Sequence, residues 1–404
     1  MSSINTNALI HHLNEQMPNA MGWLEQMVEI NSFTANPPGV NRVGEVTQAF
    51  FAELGFKGEA IPSTNSEHGS HLFLRLNEGA KRKVLLVTHL DTVFPPEEET
   101  AQNFHWQPVP SESRIYGPGS VDIKGGTVLI GMMLRALRQF APDVFHNTEW
   151  LIAANAAEEV MSVDFAQRVN ERCLTGVDAV LVFEGGPRIK DEFHLVTARK
   201  GRAEYRITAH GRGAHAGSYH AEGINAIVAV SEVAKIVHAL SDYKKEFTVN
   251  VGRIEGGTVL NRVPHEALVE LEMRAFDPAM LERVATTIEM LSMTRPYGAT
   301  ITSQCLGTTP AWPADDRTEP LMAHWKAAAD LLGFKVLATR RGGLSDANYL
   351  SHLGPTLDGL GPNGANAHCS ERSADGSKVP EYVETDSFVP KAAMNVLALV
   401  ELLK

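Results

Sequence analysis

Cysteine is scarce in this chain. Cys173, Cys305 and Cys369 lie far apart with no C-x-x-C spacing, which excludes a disulfide framework and a zinc ribbon. Their rarity fits a reducing compartment. Positive charge is also in deficit: 36 basic residues face 48 acidic ones, a formal charge of -12. So acidic a chain is a poor general partner for nucleic acid or an anionic membrane, although a local basic pocket for a small acid remains compatible with it. Uncharged apolar runs fall well short of the ~20 residues of a membrane span. The opening MSSINTNALIHHLNEQ has no basic segment followed by an apolar core, so no signal peptide is expected and the cytoplasm is the default location. Low-complexity tracts, obvious repeats and a G-x-x-x-x-G-K-[ST] loop are missing too, and no nucleotide site is assigned.

What remains is a chain of 404 residues, 44% hydrophobic and 21% charged, a globular composition too long for one ordinary core. Helical spacing of Leu9, Leu13, Met17, Met21, Leu24 and Val28 predicts a helix over 7–30. A break at 31–39 contains Pro37-Pro38, and a helix follows at 42–55. Strands are expected at 71–76, 83–87, 149–154 and 178–183, with helices at 127–140 and 164–173 and a long loop over 94–112. Alternating strands and helices describe a mostly parallel, helix-covered sheet. Near residue 200 the pattern changes. Strand 202–210, helix 223–240, strands 247–254 and 265–275, helix 277–293 and strand 299–306 have the β-α-β-β-α-β order of a ferredoxin-like antiparallel sheet with two helices. The α/β pattern then resumes with helix 319–332, strands 335–339 and 355–360, a polar loop over 361–382 and a closing helix at 384–403. The expected domains are thus 1–199 and 311–404, forming one α/β catalytic unit, and an inserted α+β unit over 200–310.

The chemistry gathers at strand ends and in Gly-rich or polar loops of the α/β part. The run VLLVTHLDTVFP delivers His89 and Asp91 to the carboxyl end of a strand, where ligands of open α/β sheets usually bind. Asp122 lies among Gly117, Gly119, Gly125 and Gly126. Glu158 and Glu159 follow the strand over 149–154, Glu184 follows 178–183, and His368 lies in the polar loop. Each has a structural alternative, such as a hydrogen-bonded His or a solvated Glu pair. As an ordered set, two His and several carboxylates without thiolates suit an open catalytic zinc site. One carboxylate can reach two metals about 3.5–4 Å apart.

The blocks THLDTVFP, YGPGSVDIKGG, AAEEVMS, LVFEGG and NAHCSE resemble the co-catalytic di-zinc peptidase and deacylase family. That family includes glutamate carboxypeptidases, aminoacylase-1, peptidase T and succinyl-diaminopimelate desuccinylase, and the pattern is nearest to glutamate carboxypeptidase. The resemblance covers almost the whole chain. It implies two zinc ions per chain, with cobalt or manganese as substitutes. Asp122 matches the bridging carboxylate, His89 and Glu184 the ligands of one metal, and Glu159 and His368 those of the other. Asp91 matches the acid that orients the His89 ring. Glu158 matches the general base that activates a metal-bridging hydroxide and later protonates the leaving amine.

In the inserted unit the resemblance implies a dimerisation and lid domain. His215 matches a histidine that enters the partner subunit's active site and binds the substrate oxyanion. Asn261 and Arg274 match residues that grip a substrate carboxylate; a structural ion pair is the alternative for Arg274. Gly342 and Gly343 match a glycine-rich substrate-binding turn. The family usually has Asp before the glutamate pair and Gly-Ser after it, whereas Ala157 and Val160-Met161-Ser162 stand here. The expected activity is zinc-dependent cleavage of an amide next to a free carboxylate, in a small peptide or N-acyl amino acid, by a homodimer. The alternatives are a di- or tripeptide aminopeptidase of the same family and a catalytically inactive dimeric zinc-binding relative.

Overall fold

A computed structural model describes residues 4–189 and 192–404. The chain divides into two compact units. The first runs to Thr197 and resumes over Ala314–Arg340 and Ser345–Lys404; the second comprises Ala198–Pro313 and Arg341–Leu344.

The first unit is built on a six-stranded sheet in the order Lys57–Pro62, Ser70–Leu76, Thr148–Asn155, Arg82–His89, Ala179–Val182, Thr356–Leu357. The last four strands run parallel to one another, and the first two add to them by antiparallel pairing. In the centre Val84, Leu85, Leu86 and Val87 are fully buried, because parallel strands are covered on both faces and must be apolar on both. Helices Thr6–Val28, Pro37–Ala52, Gly125–Phe140, Thr318–Leu331 and Phe388–Leu402 contribute to the same continuous apolar core.

Several elements depart from the sequence expectation, each for a local reason. The helix expected at 42–55 begins at Pro37, with Asn36 at its N-cap; proline is tolerated there because the first N–H of a helix has no intrahelical partner. The stretch expected as a loop over 94–112 contains helix Pro96–Gln102 and strand Gln107–Val109. The helix begins at a proline with three glutamates in its first turn, where the helix dipole favours negative charge. The closing helix starts at Phe388 rather than 384, after a short 3-10 turn at Thr385–Ser387. Strands Lys57–Pro62 and Glu192–Arg199 were not expected. The first is almost wholly exposed, so it has no hydrophobic alternation to reveal it.

The second unit is a four-stranded antiparallel sheet in the order Thr248–Gly256, Glu266–Ala275, Gly201–His210, Thr300–Thr309. Helices Ala226–His238 and Pro278–Ser292 pack against it, and Ile207, Val230, Val233, Val269 and Ile288 lie in its own core. Every second residue of Glu266–Ala275 is buried, which produces the alternation legible in the sequence. Asn225 caps the first helix by accepting the N–H groups of Ile227 and Val228. Among the described residues, no helix is long and apolar enough to cross a membrane.

Candidate metal centre

Strand register sets the site. His89 is the last residue of its strand and lies opposite Asn155, while Val87 lies opposite Val182. Glu158 and Glu159 therefore emerge three and four residues beyond one neighbouring strand, and Glu184 two residues beyond the other. Three parallel strands thus unload a His and three carboxylates at the carboxyl end of the sheet. Asp122 comes from the turn ahead of helix Gly125–Phe140, where its backbone is not helical and the Asp122–Ile123 peptide is cis.

The side chains meet as two overlapping trios, His89–Asp122–Glu184 and Asp122–Glu159–His368, each with its ligand atoms within 4.8 Å of one another. His89 Nε2 lies 3.1 Å from Asp122 Oδ1 and 3.8 Å from Glu184 Oε1. His368 Nε2 lies 3.3 Å from Asp122 Oδ2 and 3.1 Å from Glu159 Oε2. Asp122 thus offers a different oxygen to each imidazole, as a bridging ligand would.

The donor chemistry fits two cations. His89 Nδ1 lies 3.0 Å from the main-chain oxygen of Asp91. It donates there, which turns the lone pair of Nε2 towards the carboxylates. Facing acceptors need a positive charge between them, which a metal ion would supply there and which a proton on Nε2 supplies in its absence. Ligands 2.0–2.2 Å from a tetrahedral zinc would stand about 3.4 Å apart, close to the separations found. The electrostatics agree. Burial opposes a charge on His89, but hydrogen bonds to Asp122 and Asp91 and the nearby Glu184 and Glu158 hold its imidazolium well above the ordinary range. Hydrogen bonds to Asp122 and Glu159 push His368 up to about 10. Burial works against ionisation of Asp122, yet the two imidazoles hold its carboxyl below the usual range.

Asp91 does more than face a ring. Its Oδ1 accepts the N–H of Glu158 at 3.0 Å, and its Oδ2 accepts the N–H of Glu159 at 3.3 Å and the hydroxyl of Thr34 at 2.7 Å. The glutamate pair is therefore hung on the residue that backs His89. Glu158 itself is buried. Burial, opposed by His89 and reinforced by Glu184, Asp346 and Glu159, raises its carboxyl well above the glutamate range. Burial and then Asp122 push Glu159 up to about 6.

The unusual sequence around the pair is accommodated by Asn155, to which the sequence assigns no role, and by Asp346, which the sequence places at the end of the glycine-rich turn beginning at Gly342. Asn155 Oδ1 accepts from Ala157 N–H at 3.0 Å and from Ser162 Oγ at 2.8 Å, and its amide donates to the buried Asp346 Oδ1 at 2.9 Å. Met161 adopts a left-handed conformation, φ 59°, and its N–H donates to Glu158 O. Glu381, another buried carboxylate, accepts the N–H groups of Val121 and Asp122 at 3.0 and 3.1 Å. Asn155 ends an apolar strand as many polar residues do, and Glu381 lies in a polar loop with no distinctive pattern, so neither was singled out.

The remaining candidates lie in the second unit. His215 is exposed, and its Nδ1 accepts the N–H groups of Gly217 and Ser218 at 3.2 and 3.1 Å. Asn261 lies beside it, its main-chain oxygen accepting the N–H of Ala216. Arg274 binds Glu272 through Nε at 2.7 Å and Nη2 at 3.0 Å, and donates from Nη1 to Gly342 O at 3.0 Å. Gly343 O accepts from Arg199 at 3.0 Å.

The relatives of the chain agree with this architecture. A family model described as a peptidase dimerisation domain matches residues 197–295. Carboxypeptidase G2 of Pseudomonas sp. (strain RS-16) is 25% identical over 406 residues, covering 98% of this chain and 92% of the relative. Succinyl-diaminopimelate desuccinylase of Nitrosospira multiformis is 24% identical over 311 residues, covering 73% of this chain and 77% of the relative. Among solved structures, the aminopeptidase PepT of Bacillus cereus shares the fold with a TM-score of 0.74 at 22% identity, covering 99% of this chain and 100% of that one. The M20 family metallo-carboxypeptidase Sso-CP2 of Sulfolobus solfataricus does so with 0.70 at 15% identity, covering 95% and 99%. With its α/β unit, a second unit that matches a dimerisation domain and two overlapping candidate ligand trios, the chain is similar over nearly its whole length to metallohydrolases of the M20 peptidase and deacylase kind.

Proposed function

We propose that the protein hydrolyses an amide bond next to a free carboxylate, in N-acyl amino acids or in small peptides with a C-terminal acidic residue. The observation that carries this reading is Asp122 shared between two trios, with the buried Glu158 beside them. His89, Asp122 and Glu184 would hold one zinc ion, and Asp122, Glu159 and His368 the other, with cobalt or manganese as substitutes. Zinc bound there supplies Lewis-acid polarisation of the scissile carbonyl and a water whose pKa falls to about 7. Glu158 takes a proton from the attacking water on a carboxylate oxygen. It then returns the proton to the leaving nitrogen, a transfer suited to a carboxyl whose proton affinity is already raised. Asp91 keeps the His89 ring and the Glu158 main chain in one frame.

His215 of the partner subunit would donate from Nε2 to the developing oxyanion. Two N–H groups converge on Nδ1 of His215, so the ring proton sits on Nε2. A homodimer through the second unit is supported by the match to a dimerisation domain, and its helix Ala226–His238 leaves Val228 and Ile236 partly exposed. Light scattering that shows an active monomer would remove this role. Asn261, Arg274, Gly342 and Gly343 would receive the substrate carboxylate.

A di- or tripeptide aminopeptidase is the second reading, favoured by the pairing of Arg274 with Glu272, which already occupies one edge of the guanidinium. A panel of N-blocked and N-free dipeptides and N-acyl amino acids, with zinc, cobalt or manganese added, separates the two. The first reading expects turnover of N-blocked acids; a strong preference for free amino termini would overturn it. In the same assay Glu158→Ala should keep two metals and lose about 10²–10⁴-fold in kcat. Near-normal turnover in that variant would remove Glu158 from the mechanism.

A further inference from the structure

We propose that Glu381 is a positioning residue of the metal centre: its carboxylate sets Asp122, and its main chain sets the loop that carries His368. The proposal rests on the dinuclear reading above and adds the residue that holds the two sides of one trio together.

Glu381 is 1% exposed. Its Oε1 accepts the N–H groups of Val121 at 3.0 Å and Asp122 at 3.1 Å. Asp122 lies where the chain has left helical geometry, with φ -117° and ψ 80°, and both N–H groups bond outside the segment. The main chain of Glu381 reaches two further segments. Its N–H donates to Cys369 O at 2.7 Å, and its carbonyl accepts the N–H of Gly117 at 3.3 Å. One residue thereby joins the turn before Asp122, Asp122 itself and the residue next to His368.

The joined segments need an outside hold. Asn366 and His368 both adopt left-handed conformations, φ 61° and 66°, which non-glycine residues keep only where surrounding contacts impose them. Asp122 aims a different oxygen at each imidazole, so a small rotation of its backbone would disengage one of them. Burying a carboxylate close to another acid is unfavourable in itself. At Glu381 the two converging N–H groups offset part of that cost. An apolar residue would leave both groups buried and unpaired, at a cost of about 1–3 kcal/mol each.

The test compares Glu381→Gln, which keeps an acceptor oxygen at the same reach, with Glu381→Asp, which withdraws it by one methylene. Zinc affinity is measured by competition with a chromophoric chelator, alongside kcat and KM. Wild type should bind two zinc ions and Glu381→Gln should match it within about threefold. Glu381→Asp should bind one of the two about 10–100-fold more weakly, the usual effect of losing a group behind a ligand, with kcat lowered and KM little changed. Wild-type affinity for both ions in Glu381→Asp would overturn the proposal. Equal impairment of Glu381→Gln would overturn it as well, since the acceptor would then not be what matters. If circular dichroism shows Glu381→Asp unfolded, the Gln variant decides alone: two tightly bound zinc ions support the proposal and impaired binding overturns it. Fewer than two zinc ions in wild type would refute the dinuclear reading itself, an outcome distinct from the others.

Discussion

Single residues at the rim of the site show how its loop is held from behind. His71 is fully buried; its Nδ1 accepts the N–H of Ala156 at 3.1 Å and its Nε2 faces Asp164 Oδ2 at 3.2 Å. Asp164 also accepts from Thr64 N–H at 2.7 Å and Ser63 Oγ at 2.9 Å. Burial works against its charge, but the Thr64 N–H, His71 and Ser63 outweigh it and hold the carboxyl at about 2. An unfolded Asp titrates near ~3.9. The folded value is the lower one, so Asp164 contributes stability in full above pH ~4 and loses it as the pH falls through about 2. Asp164→Asn should therefore unfold at lower urea than wild type at pH 7, with the gap closing as the pH is lowered from about 4 towards 2. A gap independent of pH over that range would show that the carboxylate charge is not what stabilises. The metal-ligand candidates stood out in the sequence because each ends an apolar strand or sits in a distinctive turn. His71 and Glu381 did not, because their partners lie 85 and 259 positions away, nor did Asn155, whose amide reaches an acid 191 positions away, and no local pattern records such a pairing.

At the level of elements, close approach of backbones decides which glycines are needed. Helix Gly125–Phe140 starts against the end of strand Ala179–Val182, and a Cβ on Gly126 would lie 2.0 Å from Phe183 O. Main chain cannot move aside there without shifting Glu184, the next residue. Gly22, inside helix Thr6–Val28, has no atom within 4 Å of its added Cβ. Gly22→Ala should accordingly stabilise the protein by about 0.5–1 kcal/mol through helix propensity. Gly126→Ala should destabilise it by about 1–3 kcal/mol or more through overpacking, and weaken metal binding with it. Urea titration of both variants checks this; equal effects of the two would contradict the contact geometry. The sequence showed a glycine-rich turn into an apolar helix, yet it could not distinguish a glycine needed for contact from one that is merely tolerated.

For the molecule as a whole, the two units have separate apolar cores with no residue in common, and both candidate metal trios lie in the first unit. A ligand that binds only the folded state stabilises it by RT ln(1 + [L]/Kd), about 2.7 kcal/mol at a hundredfold excess over Kd. Removing metal with a chelator should therefore lower the melting transition of the first unit and leave that of the second nearly in place. Calorimetry should resolve two transitions after chelation, and equal shifts of both would argue that the metals are not confined to the first unit.

The sequence by itself determined the class of fold and the set of candidate ligands. Hydrophobic period separates buried parallel strands from a half-exposed antiparallel sheet, and polar residues that interrupt strand ends are recorded locally. Only the tertiary structure decided which of those residues meet. Strand register brought His89, Glu158, Glu159 and Glu184 to the carboxyl end of the sheet, and Asp122 turned one oxygen to each imidazole. The buried acceptors Asn155 and Glu381 took the N–H groups that the site's irregular backbone left over. Those pairings depend on closure of loops up to 260 residues long. Their physical cause is the need to satisfy every buried polar group, a condition that exists only once the chain has folded.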